Sequence, residues 1–271
     1  MLFSILIANY NNWKYFQECY QSILNQSFQN FEIVIVDDCS TDNSYKQLEL
    51  LSHKDSKIKL FRNLKNEGVG YTKAKCVENA NGEILGFLDP DDSIFENAIE
   101  RSLEEYSKDN SVSATYSQII LCDDYMKPLN VYSRTRKIKN NNNFFFNINN
   151  EVSHFFTFKK SIYQNTVGIN KTLALSEDFD MYLKIYEKGK LQYIEEPLYL
   201  YRLHSKGISQ DKSKKKKLTE NWNKVLYETC LRREITQIGN YKITQESNLS
   251  KIIFESENNL ISKVKRYLKI N

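Results

Sequence analysis

Residues 2–38 read LFSILIANYNNWKYFQECYQSILNQSFQNFEIVIVDD. The runs at 2–8 and 31–36 are short, apolar and rich in β-branched and aromatic residues, which suits buried strands. Between them Phe16, Cys19, Tyr20, Ile23 and Leu24 fall at helical spacing. Strand, helix, strand is a βαβ unit, and it requires a parallel sheet with a right-handed crossover.

The alternation continues outward. SYKQLELL (44–51) predicts a second helix, IKLF (58–61) a strand, GYTKAKCVENA (70–80) a third helix and ILGFL (84–88) another buried strand. Residues 1–92 therefore read as an α/β nucleotide-binding half, a mainly parallel central sheet flanked by helices. Residues 93–210 form a looser second half. It has a helix over 95–109, a strand over 112–122, a biased loop KIKNNNNFFFNINN (137–150) and a helix over 176–189 with Ser176 as N-cap and Gly189 as its stop. LQYI (191–194) and LYLYR (198–202) predict two further strands. Beyond about residue 213 only helical patterns remain, including Leu249, Ile252, Ile253, Leu260, Ile261, Val264 and Leu268, so 211–271 reads as a helical C-terminal extension.

Composition narrows the class. Eight glycines and three prolines exclude collagen-like and proline-rich chains. Five cysteines without CxxC spacing favour a reduced, cytoplasmic chain over a disulfide framework or a zinc site. The opening MLFSILIANYNN lacks the basic n-region of a signal peptide, and no run approaches the roughly 18 apolar residues of a membrane span. Charge is uneven: residues 206–271 carry 15 Lys or Arg against 7 Asp or Glu, while the first 205 carry 23 against 27. The basic tail, with KSKKKK at 212–217, suits peripheral contact with an anionic membrane face at about 1 kcal/mol per basic residue. It equally suits packing on the catalytic domain or on a second copy, as in a homodimer. Without aromatic–basic interleaving or a known module, nucleic acid is not an expected partner.

The predicted strands end in polar clusters: NYNN (9–12), DDCSTDNS (37–44) and DPDD (89–92). Open α/β sheets bind ligands beyond the carboxyl ends of their strands, so the three clusters should meet in one crevice. A turn or helix cap explains any one cluster, and Asp92 is expected to start the next helix. Two acidic clusters on neighbouring strands repel each other and call for a cation. Neither GxGxxG after the first strand nor GxxxxGK[ST] occurs, so no backbone phosphate cradle is present. A diphosphate would then be held through a hard cation, Mg²⁺ or Mn²⁺.

SILIANYN, FEIVIVDDCSTDNS, NEGVGYTKA, GEILGFLDPDD, SEDFDMYLKIYEKG and YRLHSKGIS resemble, in order and spacing, the family-2 inverting glycosyltransferases of the GT-A fold, over roughly residues 1–209. The resemblance implies that Ala8 and Tyr10 hold the nucleobase, with Tyr10 stacking on it, and that Asp38 accepts a hydrogen bond from the base. Asp37 and Asp42 would brace the loop. The Asp-x-Asp of the family maps onto Asp89 and Asp91. Asp91 would ligate the metal, Asp89 would reach the ribose or the metal through water, and His204 would stand near metal and diphosphate with Arg202 assisting. Lys73-Ala74 departs from the Arg-Asn usual there, and Lys73, a point charge without the fork of Arg, is assigned to the nucleotide side. The Glu-Asp pair maps onto Glu177, shaping the acceptor side, and Asp178, the general base. The implied reaction moves a sugar from a nucleotide diphosphate, with UDP expected, to a hydroxyl of a glycan or lipid-linked acceptor of the bacterial cell-surface type. The alternatives are a catalytically weak nucleotide-sugar or carbohydrate-binding protein on the same scaffold, and a sugar nucleotidyltransferase. The second usually opens with a glycine-rich loop and a basic residue, and IANYNNWK has no such loop.

Overall fold

The structure is a computed structural model that describes residues 1–205, 207 and 212–258. Strands β1 (Phe3–Asn9), β2 (Phe31–Asp37), β3 (Ile58–Arg62) and β4 (Ile84–Phe87) make the parallel half of one sheet, in the order β3-β2-β1-β4. Helices α1 (Trp13–Leu24), α2 (Ser44–Ser52) and α3 (Val69–Asn79) supply the crossovers. The apolar runs are continuous because both faces of this sheet are covered. Ile33 and Ile35 pack with Phe16, Cys19 and Ile23 of α1; the alternate Val34 and Val36 pack with Ala74, Cys76 and Val77 of α3. Each such fully buried side chain contributes about 1.5–3 kcal/mol. Asn9 pairs in register with Asp37, so the two strands deliver their polar ends level with one another.

The second half adds β5 (Ser93–Ile94), α4 (Ala98–Lys108), β6 (Val112–Cys122), β7 (Pro128–Val131), β8 (Thr157–Lys159), α5 (Lys160–Gln164), α6 (Glu177–Tyr186) and β9 (Lys190–Arg202). It extends the sheet as β4-β8-β6-β9-β5, with β7 on β6. The antiparallel pairings all involve β5, β7 or β8, while β6 and β9 run parallel.

Several expectations change here. LQYI and LYLYR belong to one strand, because a bulge absorbs Glu195 and Glu196 between the pairs Ser117–Ile194 and Gln118–Pro197. A bulge is where a proline without an N–H is tolerated in a strand. The helix expected from 95 begins at Ala98, since Ser93 and Ile94 pair with β9 first. The asparagine-rich stretch 137–150 is irregular yet not a plain surface loop, for it buries Phe146 and Ile148. These two join Leu173, Phe179 and Leu183 in a core shared with Val225, Leu226 and Cys230 of α7 (Lys215–Arg232) and Leu249 and Ile253 of α8 (Leu249–Asn258).

The C-terminal extension thus sits on the second half through a common core, and the apolar stripe of α7 is occupied by that core. A short hairpin, β10 (Gln237–Ile238) and β11 (Tyr241–Lys242), lies where only helices were expected. Lys206, Ile208 and Ser209 of the YRLHSKGIS block lie outside the described residues, as do Leu260, Ile261, Val264 and Leu268. Among the described residues no helix is long and apolar enough to cross a membrane. The five cysteines are unbridged.

Candidate active site

An open cleft of about 1140 Å³ runs along the ends of β1, β2 and β4, and the three polar clusters meet there. Ala8, Tyr10, Asp38, Lys73, Asp89, Asp91, Glu177, Asp178 and His204 all line it. Tyr10 is 45% exposed, a free ring at the rim. Asp38 is buried and accepts from Asn63 Nδ2 (2.8 Å) and from the backbone N–H groups of Glu67 (2.9 Å) and Gly68 (2.9 Å). Three donors on a carboxylate with about four acceptor sites leave room for one more partner.

Asp37 and Asp42 brace the loop. Asp37 takes Ser40 N, Ser40 Oγ and Asn9 Nδ2; Asp42 takes Ser44 N.

The DPDD loop divides by residue. Asp92 caps no helix: it is buried and accepts from Tyr199 Oη (2.8 Å) and Arg202 N (2.7 Å), fastening the loop to β9. Burial, with Asp91 and Asp89 adding to it, pushes its carboxyl well above the ordinary range. The Arg202 guanidinium is spent on structure, since it donates to Asp91 O (2.7 Å), Asp124 O (2.6 Å) and Glu18 Oε2 (2.5 Å) and lies over Tyr15. That leaves it little to offer a phosphate.

Asp91 Oδ2 meets His204 Nε2 at 2.8 Å. The Tyr15 ring, held by Tyr15 Oη donating to Asp124 at 2.6 Å, lies 4.6 Å from the imidazole. His204 Nδ1 is buried and has no partner among the described residues.

Asp89 turns the other way, toward Lys73 Nζ at 3.6 Å. Lys73 is almost fully buried and also reaches Glu177 (3.0 Å) and both oxygens of Asp178 (2.8 and 2.7 Å). Burial works against its charge, but Asp178, Asp89 and Glu177 outweigh it and hold the ammonium pKa well above its ordinary value. For Glu177, burial dominates: with Lys73 opposing and Asp178 adding, its carboxyl is pushed up to about 7. For Asp89, Lys73 overcomes the cost of burial and the pKa falls. The lysine assigned to the nucleotide side therefore stands between the strand-end acid and the acids of α6.

Ser176 occupies the N-cap position of α6 at φ 70°, but its hydroxyl makes no cap bond; it is buried without a partner among the described residues. A non-glycine residue at positive φ beside Glu177 is strain stored where the cleft is shaped.

Among the described residues no group of three or more His, Cys, Asp or Glu side chains is close enough to hold a metal ion alone. The Asp91–His204 pair offers one carboxylate oxygen and one imidazole nitrogen 2.8 Å apart. Mg²⁺ and Mn²⁺ favour one or two carboxylates with water and substrate phosphates completing the shell, so Asp91 fits such an ion, and His204 Nε2 joins it only by giving up its hydrogen bond to Asp91.

Sequence reasoning did not find His154, Asn147, Asn150, Tyr15, Asp124 or Trp222, all of which line the cleft. Each arrives through tertiary folding, and no local pattern marks it.

Residues 4–167 match the model of glycosyl transferase family 2. The chain is 30% identical over 257 residues to a chondroitin synthase of Escherichia coli, covering 92% of this chain and 35% of that protein. It is 28% identical over 222 residues to glycosyltransferase GlyG of Streptococcus pneumoniae serotype 4, covering 76% and 72%. The chain spans about a third of the E. coli synthase and about a fifth of the Pasteurella multocida chondroitin and hyaluronan synthases it also matches. Among solved structures, S. aureus TarS 1–349 in complex with UDP-GlcNAc superposes with a TM-score of 0.71 at 18% identity, over 100% of this chain and 76% of that one. The mannosyltransferase PcManGT of Pyrobaculum calidifontis, in complex with GDP-Man and Mn²⁺, does so at 0.61 and 12%, over 95% and 70%. By its matched segment and its architecture, the chain belongs to glycosyltransferase family 2 and has the GT-A fold.

Proposed function

We propose that this chain transfers a sugar from a nucleotide diphosphate, UDP first, to a hydroxyl of a glycan or lipid-linked acceptor, with inversion at the anomeric carbon. The observation that carries the proposal is the placement of Asp178 in one cleft with Asp89, Asp91, Tyr10 and Asp38. Tyr10 offers its exposed face to the base, and Asp38 uses its remaining acceptor site for a base N–H. Asp178 takes the proton of the acceptor hydroxyl as that oxygen bonds to the anomeric carbon. The bond from that carbon to the diphosphate breaks, and its electron pair leaves with the nucleotide. Inversion needs no covalent intermediate. Asp91 and His204 would hold Mn²⁺ or Mg²⁺, whose chemistry is to neutralise the leaving diphosphate. Lys73 holds Asp178 and Glu177 in place from the donor side.

The neighbour structures with UDP and UDP-GlcNAc support a nucleotide-sugar donor. Since the apolar stripe of α7 is occupied, a peripheral membrane contact would rest on its lysine-rich start.

The test is nucleotide release from a panel of nucleotide sugars with Mn²⁺, compared between the unaltered chain and Asp178→Asn. The variant is expected to bind the accepted donor and to turn over about 10³-fold more slowly. Near-normal turnover would remove Asp178 as the base.

A further inference from the structure

Helix α7 contributes Lys215, Leu218 and Trp222, and the residue before it Lys214, to the wall of the cleft, beside Leu175, Ser176 and Phe179. Its direction is fixed by contacts at both ends of α6. At the start, Asn221 Nδ2 donates to Leu175 O (2.9 Å) and the Trp222 ring stacks on Phe179, centroids 5.2 Å apart and planes 14° apart. At the far end, Arg232 and Arg233 grip Glu187 at 2.7 and 2.9 Å. The helices therefore run parallel, and the first turns of α7 overhang the start of α6, where Glu177 and Asp178 stand. Lys215, Leu218 and Trp222 recur at helical spacing on one face. The lysine end lies about 10 Å along the cleft from the indole, seven residues at the helical rise.

We propose that this face of α7 is the acceptor wall, with Trp222 seating the acceptor sugar and the lysine end binding an anionic group that the acceptor carries. The inference rests on the transferase reading above and names the acceptor class that reading leaves open.

Phe179 follows Asp178 in sequence and stacks on Trp222, and both rings line the cleft, so the indole extends an aromatic surface that begins one residue beyond the base. Sugar sites commonly pair an aromatic platform with a few polar groups. The strand-end side of the cleft is rich in acids, and the buried cation beside it, Lys73, is already engaged by Asp89 and by Glu177 and Asp178 of α6. The lysines at the start of α7 are a separate positive region, with Lys215, Lys216 and Lys217 exposed. Cations concentrated at one end of a cleft raise the local concentration of anionic ligands in a salt-dependent way. Either a carboxylate-bearing sugar or a phosphate-bearing one has the required chemistry.

The experiment uses the full chain, Mn²⁺ and a donor found by nucleotide release. It offers three matched oligosaccharide acceptors: neutral, glucuronate-terminated and phosphate-bearing. An anionic acceptor is expected to show a KM about tenfold below its neutral counterpart. The advantage should shrink as salt rises and vanish in the double variant Lys214→Gln/Lys215→Gln. The two anionic arms tell carboxylate from phosphate. Trp222→Ala should raise the acceptor KM about tenfold with donor KM changed less than about twofold. Trp222→Phe should restore most of the loss.

Equal KM for neutral and anionic acceptors, or a lysine variant that raises donor KM instead, overturns the inference while leaving the transferase reading intact. The second result would place the lysines on the donor diphosphate. Absence of nucleotide release from every donor overturns the transferase reading itself.

Discussion

Lys73 of α3 donates to both carboxylate oxygens of Asp178, at 2.8 and 2.7 Å, across 105 residues of sequence. The same ammonium reaches Glu177 and Asp89, so one buried cation joins the acids of the donor half to those of α6. Removing it leaves three carboxylates facing one another in a partly desolvated cleft. Lys73→Met is expected to destabilise the chain by about 3 kcal/mol in urea unfolding. Adding Glu177→Gln should recover part of the loss, because the two positions share one network. A Lys73→Met chain of unchanged stability would contradict the account.

Glu177 gives a pH signature. Its carboxyl titrates near 7 when folded, against an ordinary value of 4.5. Between those values the folded chain holds a proton that the unfolded chain has released, so stability falls as pH rises through this window. The contribution is about 3 kcal/mol across the window. Glu177→Gln should flatten that decline. The check is the change in Tm between pH 5 and 7, expected to be smaller in the variant; identical changes would rule out Glu177 as the source.

Gly70 of α3 packs against the segment that leads into α6. A Cβ there would lie 2.5 Å from Leu173 O and 2.8 Å from Asn170 O, backbone atoms of the segment that leads into α6. Gly70→Ala should cost about 1–3 kcal/mol by overpacking and lower kcat by shifting Glu177 and Asp178. Urea unfolding and nucleotide release measure the two effects. A variant unaltered in both would show that the segment yields freely.

Chelation and an Asp91 variant together test the proposed metal site. With EDTA, nucleotide release is expected to stop and to return on adding Mn²⁺. Asp91→Asn should require about tenfold more Mn²⁺ for half-maximal rate, because it removes one of the two proposed protein ligands. An Asp91→Asn chain with an unchanged Mn²⁺ requirement would take Asp91 out of the metal site.

Much of the first half was legible because its local signals agree. Ile33–Val36 and Phe3–Ile7 are β-branched and apolar runs, and α1 shows a clear buried face. The meeting of the three polar clusters followed from parallel strands ending level with one another. What was not legible depends on distant partners. Asp92 looked like a helix start until Tyr199 and Arg202 came to it from 107 and 110 residues away. The three-residue β8 is too short for a period to show, and Glu195–Pro197 looked like a strand break because a bulge and a break share the same residues. The asparagine-rich composition of 137–150 hid Phe146 and Ile148, whose burial is explained only by α7 and α8 arriving later in the chain.

The most direct test of the central claim is the anomeric configuration of the first sugar released. The chain is incubated with Mn²⁺ and its accepted UDP-α-sugar, and early product is followed by proton NMR before mutarotation. A single displacement on the face opposite the diphosphate predicts the β-anomer. Release of the α-anomer would contradict inversion, and with it the role assigned to Asp178.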